Sequence, residues 1–433
     1  MTTKCRFSVR AGFSRSRPVG RLKPALTLLL FLAVRVQAQD IPLLDSDNFA
    51  RGFHAPSMEQ AVSWTAAFYD SSHRAIQRAW GTREHYAKTS IAIFDFVTLA
   101  VLAMPLSDVW VHEEFHRAVL ANRGVPSFDD VYRFRLSAGS IAVSHVRDDA
   151  LVRMKRDHPA DLVRAHEAGI EGEAATVLRL EKDHFFHGAT SWNLPLYWFA
   201  KTNSIAYIAS GPTRSTNDTT RDWERDEGAS ISKRDFTGHD FTAWVYDLFR
   251  PDEPYEARGI HPSGVGIRRY VRESDLTPEE KSYLRRQGRL AAINLLDPNL
   301  YGGYGLTSHG RAINVAASHT LTPFGYAIDV NTFLRDRDHR VFVVLHLYRN
   351  HERTFPGLEL ELPGARITPR LALWSQPSNQ RFRDSAGRFG ALAGVQVRRG
   401  RWYAELDAKS AGWVAANVHL DRSASARLGF ALR

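Results

Sequence analysis

Residues 107–124 read SDVWVHEEFHRAVLANRG, and within them His112-Glu113-Glu114-Phe115-His116 is an H-E-x-x-H match. On a helix, His112 and His116 are four residues apart and share a face, so both imidazoles can reach one metal ion. Glu113 sits beside that pair, where a carboxylate can accept a proton from activated water. The flanks favour a helix. Pro105 interrupts the preceding apolar run, Ser107 or Asp108 supplies a cap, and Gly124 and Pro126 are stop signals. Trp110, Val111, Phe115, Ala118 and Val119 offer a core-facing surface. The same spacing also suits a buried helix whose histidines are only hydrogen-bonded. A third ligand would separate the two readings.

The search for that ligand leads to residues 159–186, PADLVRAHEAGIEGEAATVLRLEKDHFF. Pro159 fits a first helical turn, and Leu162, Ile170, Ala174, Val177 and Leu178 can face a core. Glu167, Glu171 and Glu173 crowd its middle beside Gly169 and Gly172. Each glycine costs a helix interior about 1 kcal/mol relative to alanine. Close approach to another helix or a metal centre would justify that cost. A break in the helix, with a solvated acidic turn, is the alternative.

With these residues in place, HEEFH resembles the zincin metallopeptidases. The resemblance covers one helix and the acidic helix after it. It implies a Zn2+ cofactor, His112 and His116 as ligands, zinc-activated water with Glu113 as general base, and a peptide or protein substrate. In gluzincin-like enzymes the third ligand is a glutamate on a later helix. Glu171 is the first choice here, and Glu167 the alternative, with Glu171 then orienting a ligand histidine. Glu173 and His166 stay open. Val119 and Asn122 stand where a metzincin would need glycine and a third histidine, which excludes that pattern. Glu114 and Arg117 are charged where the usual pattern has uncharged residues. Two other functions fit the sequence: a zinc amidase or esterase on a non-peptide substrate, and a non-enzymatic outer-membrane β-barrel or envelope protein with a helical plug or partner-binding domain. No P-loop, dinucleotide fingerprint or serine nucleophile elbow is present.

The net charge of +10 comes mostly from the first 38 residues. They hold eight of the 57 Lys and Arg and no Asp or Glu, so the remainder carries 49 basic against 47 acidic residues. The balance gives no argument for nucleic acid. That leader reads as a secretory signal peptide: a basic region, the apolar run Ala25–Val34, and small residues before a cleavage point at Ala38. The single cysteine, Cys5, lies in it. A mature chain without thiols must hold metal by His, Asp or Glu. These features predict export to a bacterial cell envelope, either periplasm or outer membrane.

The remaining organisation is α+β. A mainly helical, zincin-like domain is expected over 39–300, followed by an antiparallel β-meander or small β-barrel over 301–433. Helical spacing covers 58–80, 86–104, 240–250 and 278–296, with an aromatic stretch at 188–209 and a polar loop at 211–239. Short β-prone pieces surround Val131–Phe134 and Ser140–Val143. The run from Ile91 to Met104 holds Asp95 and ends before Pro105, which predicts a buried core helix rather than a membrane span. After Gly302-Gly303 and Gly305, alternating runs begin at Ala312, Tyr326, Arg340, Leu358, Ile367, Ala391, Trp402, Trp413 and Arg427. Such a meander allows membrane association through the β domain.

Overall fold

The computed structural model describes residues 39–49, 56–133, 141–188, 194–303, 305–337 and 339–432. The leader, its expected cleavage at Ala38 and Cys5 lie outside them. The helical part comprises α1 (Met58–Trp80), α2 (Glu84–Phe96, continued by a π-helical turn over Val97–Val101), α3 (Asp108–Asn122), α4 (Asp148–Asp157), α5 (Pro159–His187), α6 (Leu194–Ser210), α7 (Ser215–Glu227), α8 (Asp240–Phe249) and α9 (Pro278–Leu290).

The sheet is a ten-stranded antiparallel meander. Its strands are β1 (Gln39–Asp45), β4 (Leu306–Ser308), β5 (Arg311–Thr322), β6 (Gly325–Arg335), β7 (Arg340–Arg349), β8 (Thr354–Glu361), β9 (Ile367–Pro377), β10 (Gly387–Arg399), β11 (Trp402–Lys409) and β12 (Ser423–Leu432). Strands β4 to β12 follow chain order, and β1 adds to β12 at the far edge. Two-residue strands β2 (Phe128–Asp129) and β3 (Val143–Ser144) form a separate pair.

The long helix α5 lies between the sheet and α3. One side carries Ala165, Gly169, Gly172 and Glu173 towards α3. An added Cβ at Gly169 would stand 2.2 Å from His112 Nε2, and one at Gly172 would stand 2.9 Å from the Phe115 ring. The other side meets the sheet. Phe185 and Phe186 pack on Phe333 and Phe342, and Lys182 pairs with Glu361 at 2.6 Å. The glycines are therefore a close-packing device in an unbroken helix. Side chains at these two positions would hold α3 and α5 apart.

Several expectations change. The polar stretch 211–239 contains α7 rather than a continuous loop. Its few buried residues, Thr216, Thr220 and Glu224, give too sparse an apolar stripe to announce a helix. Trp413–Leu420 is not a strand. It folds inward, burying Trp413 and donating the Ala416 N–H to Glu171 at 2.8 Å. The pieces expected near 131 and 140 become β2 and β3 with a 3-10 turn at Asp130–Arg133, and residues 134–140 lie outside the described set. The helix expected over 86–104 is apolar on both faces, but only one is buried. Ala87, Ile91 and Leu99 are covered, whereas Ile93, Phe96 and Val101 are exposed. No helix among the described residues is long and apolar enough to cross a membrane. The boundary drawn at 300 is also bridged, because β1 belongs to the sheet and α5 is seated on it.

Candidate metal centre

Helix α3 begins at Ser107, whose hydroxyl accepts from the Trp110 N–H. It is buried almost all round, so no amphipathic stripe marks its functional face. The atypical charges Glu114 and Arg117 explain themselves here, because they pair with each other one turn apart inside the core. Glu113 is less buried than its helix neighbours and looks into a small cavity.

The two histidines converge as their spacing predicts. His116 Nδ1–H donates to the Ala165 carbonyl at 2.5 Å, and His112 Nδ1–H donates to Glu173 Oε1 at 2.9 Å. Both acceptors orient the rings so that each Nε2 points at Asp240 Oδ2, at 3.1 Å from His112 and 3.4 Å from His116. Burial lowers the His112 pKa, but its hydrogen bonds to Asp240 and Glu173 raise it well above the ordinary value, so with no cation bound a proton bridges His112 Nε2 and Asp240. A cation that displaced that proton would meet three ligand atoms, with both opposite ring nitrogens already committed as proton donors. A cation fits that point. Among the described residues, His112, His116 and Asp240 are the cluster of at least three His, Cys, Asp or Glu whose ligand atoms lie within 4.8 Å of one another.

Asp240, and neither expected glutamate, stands beside the two histidines. Neither Glu171 nor Glu167 is brought to the histidines. Both sit on the side of α5 turned away from α3, since residues two positions from Gly169 are rotated by about 200°. Glu171 accepts from Arg164 at 2.7 and 3.0 Å, from Trp413 Nε1 at 3.3 Å and from the Ala416 N–H. Glu167 is fully buried beside it. Burial and the Glu171 charge raise its pKa well above the ordinary value. The orienting role considered for Glu171 falls to Glu173, which also accepts from Asn203 at 2.7 Å. His166, the other open candidate, binds Thr237 at 2.7 Å and Asp247 at 2.8 Å.

Asp240 reaches the site because α8 starts there. The preceding turn is held by Asp235, whose carboxylate accepts from the N–H groups of Phe236 at 2.7 Å and Gly238 at 2.9 Å. Gly238 has φ +79°, and a Cβ there would stand 2.6 Å from the Tyr270 ring. Two turns along α8, Asp247 binds Lys155, Arg258 and His166, locking the helix to α4 and α5. No short-range spacing connects position 240 to position 112. A glycine-led turn that ends in an acidic helix start was the sole local signal.

Burial and charge shape the electrostatics. Burial raises the Glu113 carboxyl well above its usual pKa, and Asp235 and Asp240 add to the effect while His112 opposes it. Burial lifts Asp235 to about 8, helped by the Asp240 charge. Burial alone would raise Asp240 too, but His116 and His112 hold it below the ordinary carboxylate range. Burial keeps the Tyr207 hydroxyl protonated well above pH 10. The cavity in front of the cluster is about 120 Å³ and is lined by Glu113, Tyr207, Trp223, Thr237 and Tyr270, among others. A larger cavity of about 530 Å³ lies at the sheet rim near Arg123, Gln376 and Arg381, away from the histidines. Volume alone would favour it. The converging ligand atoms favour the smaller one.

Comparison with protein-family models, with curated proteins and with solved structures finds no match to this chain.

Proposed function

We propose that the chain is a zinc-dependent hydrolase that cleaves peptide bonds. The observation that carries this reading is the convergence of two Nε2 atoms and Asp240 Oδ2 beside a cavity that Glu113 faces. His112, His116 and Asp240 would hold the ion. Zinc in such a site supplies Lewis-acid polarisation of a carbonyl and activation of water near neutral pH.

The chain's own groups account for the proton transfers. Glu113 lines the cavity and is the carboxylate free to take a proton from the attacking water and return it to the leaving amine. Tyr207 lies over His112, with ring centroids 5.9 Å apart, and its hydroxyl oxygen takes a hydrogen bond from the Asp240 backbone. That leaves the O–H free to donate to a developing oxyanion. Glu173 and the Ala165 carbonyl hold the imidazoles in the ligating orientation.

The test uses the full chain with zinc and a fluorogenic peptide library. Glu113→Gln is expected to retain one zinc per chain and to lower kcat about 10²- to 10⁴-fold, the range for losing a general base. Undiminished hydrolysis in Glu113→Gln would overturn the mechanism. A wild-type protein that takes up no stoichiometric zinc would overturn the metal site itself.

A further inference from the structure

We propose that the outward face of β6 to β12 lies against the hydrocarbon interior of a lipid bilayer. This inference stands on the sheet and is independent of the metal reading.

The two faces of the sheet differ: the inner one sets paired charges among buried apolar residues such as Phe333, Phe342 and Trp374, and the outer one carries almost no charge. Its inner face, towards α5, is rich in charge, and the charges are paired. Asp329 binds His346 at 2.7 Å, Glu359 binds Arg370 at 2.9 Å, and Arg427 binds Asp407 at 2.7 Å. Its outer face is apolar. The strand register aligns Val330, Leu345, Leu358, Leu373 and Ala391 in one continuous row across β6 to β10. A second row runs Val395, Leu406, Ala426 across β10 to β12. Leu345 is 53% exposed, Leu373 49% and Leu406 61%. A water-soluble monomer rarely exposes a continuous apolar patch of more than a few hundred Å².

Three further features select lipid over a protein partner. First, on β7 and β10 charge returns to the outward positions only at the strand ends, Arg349 and Arg399. Second, the uncharged band is long. Outward positions 341 to 347 on β7 and 389 to 397 on β10 span about 20–26 Å along the strands at about 3.3 Å per residue, which is about 14–21 Å of height at the tilt of about 35–45° usual for membrane strands. Third, aromatic residues stand at both rims of that band: Phe389 at one, and Trp402 with Phe430 at the other. An outward face of apolar residues bounded by aromatics at both ends of the strands is the pattern that lipid imposes on strands.

The experiment uses the full chain in a Cys5→Ser background, with single cysteines at Leu345→Cys, Leu373→Cys and Leu406→Cys, and at the exposed hairpin residue His339→Cys as the aqueous control. Each cysteine carries an environment-sensitive fluorophore. The protein is reconstituted into phosphatidylcholine–phosphatidylglycerol vesicles with and without lipids bearing a quencher on the acyl chain. Near-UV circular dichroism checks the fold of each labelled variant. The expected result is loss of most of the emission at 345, 373 and 406 with quencher lipid, and little change at 339. Retained emission at all sites, or folded protein that stays in the aqueous phase without detergent, would overturn the proposal. Shielding of the three sites by self-association in vesicle-free solution would overturn it in favour of a second copy. As a check free of substitutions, the unlabelled protein is expected to partition into the detergent phase on cloud-point separation; recovery in the aqueous phase would overturn the proposal.

Discussion

Gly169 is the residue on which the centre is most sharply poised. In a free helix, Gly169→Ala would add about 1 kcal/mol of helix stability. Here the new methyl would stand 2.2 Å from His112 Nε2, the atom we propose as a metal ligand. We expect the variant to fold with α3 and α5 pushed apart and to lose stoichiometric zinc, measured by metal analysis after gel filtration. The two glutamates expected from sequence as ligands have a different dependence from Glu173. Glu173→Gln keeps an acceptor oxygen for His112 Nδ1 but removes its charge, so zinc affinity should fall about 10- to 100-fold with little effect on folding. Glu171→Ala strands the fully buried Arg164 guanidinium and should cost about 3–5 kcal/mol of stability. Competition with a zinc-binding dye and denaturant unfolding separate the two outcomes. Metal loss without destabilisation in Glu171→Ala would return that residue to the ligand set. At this scale the sequence displayed His112, Glu113 and His116 plainly, because their chemistry is local to one helical turn. Asp240 was hidden, because its partner lies 128 residues away and an aspartate at a helix start ordinarily reads as a cap.

At the scale of elements, α7 shows what polar composition conceals. Its C-terminal residue Glu227 accepts from the Tyr270 hydroxyl, and the Tyr270 ring backs the Gly238 turn that delivers Asp240. Burial raises the Glu227 pKa from 4.5 to about 7, against the opposing effects of Tyr270, Arg234 and Arg269. A glutamate whose folded pKa exceeds its unfolded value makes the folded state bind more protons. Its stabilising contribution is therefore complete below about pH 4.5 and is lost as pH rises through about 7. Glu227→Gln keeps an acceptor for Tyr270 and cannot ionise. We expect it to flatten the decline in Tm across that window, measured by differential scanning fluorimetry, while leaving the acid-side Tm close to wild type. An unchanged pH profile would remove Glu227 from this role. The elements with strong periodicity were legible at close to their observed bounds. The strands at Tyr326, Arg340 and Ile367 alternate cleanly, and α1 and α8 carry helical apolar spacing. Trp413–Leu420 misled because its apolar residues are buried by a loop that turns inward, where composition resembles a strand but no neighbour supplies a ladder.

At the scale of the whole molecule, the helical and β parts do not separate at residue 300. The sheet's inner face and α5 share one interior. Phe185 and Phe186 fill the space beneath Phe333 and Phe342, Glu171 is satisfied by Trp413 and Ala416, and Asn122, at the end of α3, donates to the Val418 carbonyl at 3.1 Å. The other end of the chain closes the same arrangement. Strand β1 pairs with β12, and Arg427 binds Asp45 at 3.1 Å. A fragment of residues 39–300 would expose the sheet-facing side of α5, leave β1 without its partner and strip Glu171 of two of its three donor residues. Unpaired buried charge and lost apolar packing both oppose folding of that piece. We therefore expect the fragment to lack a cooperative thermal transition and to bind no stoichiometric zinc. Co-expression with residues 301–433 should restore both, since the two pieces would complete the same interior. A cooperative, zinc-binding 39–300 fragment would show that the metal centre folds without the sheet. A fragment that neither folds nor binds zinc would mean that the sheet supplies, through α5, the wall against which the His112–His116 helix is set.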